Sequence, residues 1–123
     1  MSLLDSLRRL FTKPYQQIHA VEARERMEGG AIRLDVRESN EWQAGHVQGA
    51  RHIPLGQLGQ RQRELPVGRP VMTLCRSGGR SSRAASLLAG QGREVSNLRG
   101  GMRAWASDGL PVIAKGGRPG AVI

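Results

Sequence analysis

The sequence PVMTLCRSGGRSSR, residues 70–83, combines three local signals in one stretch. Residues 70–74 form a short apolar run that predicts a buried strand. The run ends at Cys75, and the two glycines that follow permit backbone conformations that other residues avoid. Ser81 or Ser82 then suits the first position of a helix, where a hydroxyl caps free N–H groups. The stretch therefore predicts a strand, a tight loop and a helix, with a cysteine at the carboxyl end of the strand.

Strands and helices alternate on both sides of this stretch. Short runs rich in branched apolar residues predict further strands at 31–36, 50–53 and 93–98. Helical spacing of apolar residues predicts helices within 17–28, 38–43, 55–65, 81–89 and 101–108. This alternation indicates an α/β fold with a central, mostly parallel sheet that helices cover on both faces.

The two ends of the chain differ in pattern from this middle part. Residues 1–14 carry leucines at helical spacing and predict a short amphipathic helix before Pro14. Three roles stay open for residues 2–11: packing on the same chain, a dimer contact, or docking on a membrane surface. Residues 15–113 form the predicted domain, and the glycine-rich residues 114–123 are expected to be a flexible tail.

Composition narrows the classes of function. A chain of 123 residues with one cysteine forms a single domain that has neither an internal disulfide nor a Cys/His zinc set, so we expect no metal and no cofactor. The lone thiol and the lack of a secretory signal favour the cytoplasm. The net charge of +9 is spread over scattered arginines without aromatic interleaving, so nucleic acid is not an expected partner.

The loop after the central strand has the composition of an anion site. Gly78 and Gly79 allow successive N–H groups to turn inward, and a helix N-terminus faces the same space. Arg76 and Arg80 add positive charge close to Cys75. Such surroundings favour ionisation of a thiol, so we expect Cys75 to be a thiolate at neutral pH.

The spacing within this loop bears on the reaction. Four residues separate Cys75 from Arg80, whereas protein tyrosine phosphatases have five residues between cysteine and arginine, and Ser81 stands at the phosphatase arginine position. The shorter loop fits a single added sulfur atom better than a phosphate ester. A phosphatase or arsenate reductase stays as the weaker alternative, since the sequence has no second cysteine to resolve an oxidised one.

Four ordered motifs resemble the rhodanese family of sulfurtransferases over about residues 18–112. They are LDVR at 34–37 with Glu41, GHVQGA at 45–50 before Ile53 and Pro54, CRSGGRS at 75–81, and GGM at 100–102 with Trp105. The resemblance implies a rhodanese-like fold, with a central, mostly parallel five-stranded sheet flanked by helices, and a six-residue active loop at 75–80.

The resemblance also implies a reaction and roles for the loop. Cys75 would be the nucleophile that takes sulfane sulfur from thiosulfate or another persulfide donor and passes it to cyanide, a small thiol or a protein thiol. A persulfide carrier fed by a partner protein is the alternative. The implied substrate-binding residues are those of the active loop, Arg76, Ser77, Gly78, Gly79 and Arg80.

Residues other than Cys75 are expected to bind the donor or to support the structure of the site. Arg76 is our candidate for binding the sulfonate end of thiosulfate. Asp35 and Ser81 are expected to support the loop, with Asp35 either orienting it through Arg80 or simply capping its strand. His46 is expected to belong to a structural turn, Trp42 and Trp105 to lie in the core, and Arg37 and Glu41 to form a surface ion pair.

Overall fold

A computed structural model describes residues 14–123, so the helix predicted within residues 1–14 lies almost entirely outside the described residues. The strands are β1 (Gln16–Ile18), β2 (Ile32–Asp35), β3 (Arg51–His52), β4 (Val71–Leu74) and β5 (Val95–Leu98). The α-helices are α1 (Ala20–Glu28), α2 (Ser39–Ala44), α3 (Leu55–Arg61), α4 (Gly79–Ala89) and α5 (Gly101–Ser107). Two short 3-10 turns span Gln62–Glu64 and Lys115–Gly117.

The five strands form one sheet in the order β1-β5-β4-β2-β3, and every neighbouring pair is parallel. The expected α/β fold with a five-stranded sheet is thus confirmed. Strand β4 occupies the centre, with Leu34 of β2 opposite Thr73 and Asn97 of β5 on the other side of Thr73. The central position places Cys75 at the carboxyl edge, where open parallel sheets bind their ligands.

Alternating side chains of the strands pack into two cores, one on each face of the sheet. Val71 and Cys75 face the core that contains α4 residues such as Leu88. Met72 and Leu74 face the core that contains Met102 of α5, together with residues of α1. Because the side chains of a strand alternate between faces, four buried residues in β4 serve both cores.

Some element boundaries differ from those expected. Strand β1 was not predicted, and the helix expected within 17–28 begins only at Ala20. The three residues of β1 include two exposed glutamines, and the strand pairs only along the sheet edge. The strand expected at 50–53 is reduced to Arg51–His52, and the helix expected over 55–65 changes to a 3-10 turn after Arg61. None of the helices within residues 14–123 has the length and hydropathy that crossing a bilayer requires.

The C-terminal segment does not extend away from the domain as expected of a flexible tail. Gly116 and Gly117 have φ values of +73° and +77°, and they reverse the chain so that Ile113 pairs with Pro119. Beyond this turn the Ala121 N–H donates to the Ala44 carbonyl at 2.9 Å. The glycines that suggested a linker therefore form a turn instead, and we call residues 112–123 the C-terminal strap.

Candidate active site

Cys75 lies directly after β4 and is held from behind by the start of α5. Its carbonyl accepts the Met102 N–H at 2.7 Å, and the Arg76 carbonyl accepts the Arg103 N–H at 3.0 Å. Gly101 makes this approach possible, because a Cβ there would overlap both carbonyl oxygens. The Cys75 residue is 1% exposed, so its thiol is reached only from within the loop of residues 75–80. We call this loop the sulfur cradle.

The cradle directs hydrogen-bond donors at the thiol. The Gly78 N–H donates to Cys75 Sγ at 3.0 Å, and the Ser81 hydroxyl donates to the same atom at 3.3 Å. Gly78 adopts a φ of +110°, a left-handed conformation that suits glycine and immediately precedes α4. Helix α4 thus begins at Gly79, earlier than predicted, and Ser81 supports the cradle as a donor to sulfur instead of as a helix cap.

These contacts change the ionisation of the thiol. Burial acts to raise the pKa of Cys75, but hydrogen bonds from the Ser81 side chain and from the N–H groups of Ser81, Gly78 and Ser77 outweigh it, and the pKa lies below its ordinary value. Hydrogen bonds to the charged form of a group favour that form. The direction agrees with the expected thiolate, and the contacts that lower the pKa come from neutral hydrogen-bond donors of the loop and of the start of α4.

Arg80 is held by an acidic side chain from α2. Its two terminal nitrogens donate to the two carboxylate oxygens of Glu41 at 2.6 and 2.8 Å. The Arg80 guanidinium lowers the pKa of Glu41 to about 2, against the smaller opposing effect of burial. The prediction that Asp35 orients the loop through Arg80 is therefore wrong, because Arg80 pairs with Glu41, which fixes the end of the cradle.

Asp35 has a different and fully buried partner. It accepts hydrogen bonds from Nε and Nη2 of Arg37, the latter at 2.7 Å, and both side chains are completely buried. The same Nη2 atom also donates to the Gly45 carbonyl. The surface ion pair expected between Arg37 and Glu41 is thus wrong, because Arg37 turns inward and ties the end of β2 to the segment after α2.

A buried polar network, which no sequence pattern indicated, supports the cradle from the β5 side. Asn97 at the end of β5 donates to the Ser82 hydroxyl at 3.0 Å and accepts from the Thr73 hydroxyl at 3.1 Å. Ser82 in turn donates to the Gly78 carbonyl at 2.8 Å. A polar cleft of about 390 Å³ adjoins this network, with Ser77, Gly78, Gly79 and Arg99 among the residues that line it.

The aromatic residues have the structural roles expected of them, with one difference. Trp105 is buried and donates from Nε1 to the Pro111 carbonyl. Trp42 is only half-buried and stacks with two histidines, with ring centroids 3.7 Å from His46 and 4.9 Å from His52. His46 also contacts the Trp42 carbonyl through Nδ1, which places it in a turn beside α2.

Arg76 is exposed and extends toward the C-terminal strap. Its Nε donates to the backbone oxygen of Ile123, the last residue of the sequence, at 2.7 Å, a contact that no sequence pattern indicated. Within residues 14–123, no group of three or more His, Cys, Asp or Glu side chains is arranged to hold a metal ion.

Comparison with known proteins agrees with this geometry. The model of the family described as Rhodanese-like domain matches residues 19–108, which include the whole sulfur cradle and Glu41. The chain belongs to the rhodanese-like family. A rhodanese-related protein from Thermoplasma volcanium has a crystal structure that is 28% identical, with a TM-score of 0.78 over 82% of this chain and 100% of that one.

Two curated relatives match more than half of this chain. A sulfurtransferase of Allochromatium vinosum is 41% identical over 85 residues, 68% of this chain and 79% of that protein. The uncharacterized protein YqhL of Bacillus subtilis is 48% identical over 73 residues, 58% of each chain, so the match spans little more than half of YqhL. The strap, residues 112–123, follows the end of the family match.

Proposed function

We propose that this rhodanese-like domain is a sulfurtransferase that carries sulfane sulfur as a persulfide on Cys75, with thiosulfate or another persulfide as donor. The observation that carries the proposal is the pair of donors, Gly78 N–H and Ser81 hydroxyl, that contact Sγ inside the cradle. The relative from Allochromatium vinosum, described as a sulfurtransferase, supports the same class of reaction.

The first half-reaction loads the cysteine. The Cys75 thiolate attacks the outer sulfur of thiosulfate, a new S–S bond forms, and the S–S bond of thiosulfate breaks as sulfite leaves with its electron pair. The thiolate needs no general base, because the hydrogen bonds in the cradle already favour ionisation. The outer sulfur then carries the negative charge of the persulfide, and N–H groups fixed before the reaction stabilise such an anion.

The second half-reaction returns the enzyme to its starting state. The thiolate of an acceptor, or cyanide, attacks the outer sulfur of the persulfide, and Cys75 leaves as a thiolate with the bonding electron pair. No net oxidant or reductant is consumed. Because this sequence contains a single cysteine, the sulfur passes to another molecule and not to a resolving thiol in the same chain. A reducing compartment such as the cytoplasm supplies thiol acceptors of this kind.

The two arginines of the cradle have separate tasks in this proposal. Arg80 uses both terminal nitrogens on Glu41 and so fixes the loop. Arg76 is exposed, and its planar guanidinium would bind the sulfonate oxygens of thiosulfate. Replacing Arg76 by alanine should therefore raise KM for thiosulfate more than it lowers turnover with a neutral persulfide donor. Arg83→Ala removes an exposed arginine from α4 and serves as the matched control.

Initial-rate kinetics test the proposal as a whole. Varying thiosulfate at several fixed cyanide concentrations should give the parallel double-reciprocal lines of a two-step transfer through a covalent intermediate. Cys75→Ala should abolish this activity. Hydrolysis of p-nitrophenyl phosphate without sulfur transfer would overturn the proposal in favour of a phosphatase. Loading only by a persulfide donor, with none from thiosulfate, would support a sulfur carrier fed by a partner instead.

A further inference from the structure

The polar cleft beside the sulfur cradle has a volume of about 390 Å³, and its lining includes Gly78 and Gly79 of the cradle. Among residues 14–123, the lining contains one charged side chain, that of Arg99, and no carboxylate. We propose that this cleft binds the body of a small acceptor thiol and that Arg99 pairs with a carboxylate of that acceptor. The inference rests on the proposed function, because it names the class of acceptor used in the second half-reaction.

The cleft and the thiol adjoin the same piece of backbone. Gly78 lines the cleft, and its N–H donates to Cys75 Sγ at 3.0 Å. The segment that carries Arg99 packs directly against this glycine. A Cβ on Gly78 would lie 3.5 Å from the Gly100 nitrogen and 3.8 Å from the Leu98 carbonyl oxygen, on either side of Arg99. A molecule bound in the cleft therefore lies beside the loop that holds the persulfide.

The backbone of Arg99 is fixed, whereas its guanidinium is available. The Arg99 N–H donates to the Ile18 carbonyl at 2.8 Å, and Gly100, with a φ of +78°, turns the chain into α5. The Arg99 side chain is exposed and has no hydrogen-bond or ion-pair partner among residues 14–123. The Arg80 guanidinium, in contrast, is already paired. A guanidinium with free donors binds both oxygens of a carboxylate through two parallel hydrogen bonds.

Neutral polar side chains form a fixed wall of the cleft. Asn97 is 1% exposed, and its amide donates to Gln17 Oε1 and to the Ser82 hydroxyl, both at 3.0 Å. Such a wall suits the amide and hydroxyl groups of a polar ligand. The volume of the cleft falls in the range of about 300–1,000 Å³ that is typical of sites for small organic molecules. Thiosulfate and cyanide are too small to fill it, which favours an acceptor with an extended polar body.

The contact with Arg99 should act on binding and not on bond breaking. The acceptor thiolate attacks the outer sulfur of the persulfide, a new S–S bond forms, and Cys75 leaves as a thiolate with the electron pair of the broken bond. The carboxylate stays paired with Arg99 throughout and takes no part in these steps. Arg99 should therefore lower KM for an acceptor that bears a carboxylate. An acceptor without one gains nothing, and loading from thiosulfate, which we assign to Arg76, should not depend on Arg99.

Single-turnover transfer from the preloaded protein tests the inference. The persulfide of Cys75 is formed with thiosulfate, freed of excess donor, and mixed with glutathione or with glutathione diethyl ester, which has the same thiol but no free carboxylate. Arg99→Ala should raise the glutathione concentration needed for half-maximal transfer roughly three- to tenfold and leave that of the ester unchanged. Arg83→Ala, which removes an exposed arginine of α4 that does not line the cleft, is the matched control.

Several results would overturn the inference. They are an equal change for glutathione and its ester, an equal change in Arg83→Ala, no change in Arg99→Ala, or a raised KM for thiosulfate in Arg99→Ala. Failure of the wild-type protein to load sulfur from any donor would instead refute the proposed function. The cleft is then tested by calorimetry with S-methylglutathione, which cannot accept sulfur. Weaker binding of this probe to Arg99→Ala than to wild type would support the inference, and equal binding would overturn it.

Discussion

Glu41 and Arg80 join helix α2 to the end of the sulfur cradle through two hydrogen bonds of 2.6 and 2.8 Å. The Glu41 side chain is 13% exposed and that of Arg80 36%, so the pair is only partly screened by water. The two residues are 39 positions apart in the sequence, and the pair therefore connects distant parts of the chain beside Cys75.

The Glu41–Arg80 pair should make stability depend on acid. The pKa of Glu41 is lowered from 4.5 to about 2 in the folded protein, so the pair contributes its full stability above about pH 4.5 and loses it as the pH falls toward 2. Urea unfolding should show Glu41→Gln to be about 1–2 kcal/mol less stable at pH 7. The difference from wild type should shrink between pH 4.5 and pH 2, and a constant difference would contradict this account.

Ionisation of Cys75 should govern the first half-reaction. Because the pKa of Cys75 is lowered in the folded protein, the rate of persulfide formation should be retained as the pH falls below the range of an ordinary thiol, and should drop only as the pH passes through the lowered value. Ser81→Ala removes a donor to the thiolate and should move this drop to higher pH. Ser86→Ala, on the exposed side of α4, should leave the profile in place.

The buried pair of Asp35 and Arg37 should be important for folding. Replacing Asp35 by alanine leaves the Arg37 guanidinium buried without its counter-charge, and such losses cost about 3–5 kcal/mol. Chemical denaturation should show this loss, and replacing Arg37 by methionine as well should recover part of it. Glu64→Gln, which breaks the exposed pair with Arg61, should have a far smaller effect. Equal losses of stability in Asp35→Ala and Glu64→Gln would contradict the assignment of Asp35 as a structural residue.

Gly101 should tolerate no side chain. Its φ is +59°, and an added Cβ would overlap the carbonyl oxygens of Cys75 and Arg76, so Gly101→Ala should shift the cradle and lower the rate of sulfur transfer at least about tenfold. Gly109 has a similar φ of +76° with open space around it. Gly109→Ala should therefore lose only about 1 kcal/mol of stability from backbone strain and keep its activity.

The parts of this structure that follow local rules could be predicted from the sequence. The strand before Cys75, the glycine loop and the following helix are adjacent in the chain. Together with the alternation of strands and helices they indicated the parallel sheet and a loop whose N–H groups turn toward Cys75. Strand β1 escaped prediction because its glutamines lack any apolar alternation, and pairing with β5 alone makes it a strand.

The sequence could not predict which acidic side chain pairs with Arg80, because that pairing depends on a contact between distant parts of the chain. The strand pattern predicted that Asp35 lies near the site. It could not show that Arg37, two residues away, donates to both oxygens of Asp35 while Arg80 pairs with Glu41. The expectation of a flexible tail at residues 114–123 failed for a related reason. Its glycines have the composition of a linker, and only the close approach of Gly120 to Gly45 shows that one of them is needed for packing.

The mass of the intact protein after incubation with thiosulfate tests the central claim most directly. We predict that the protein gains the mass of one sulfur atom, that cyanide or a thiol removes it, and that Cys75→Ala never acquires it. An unchanged mass of the wild-type protein with both thiosulfate and a persulfide donor, or a sulfur retained by Cys75→Ala, would contradict the account.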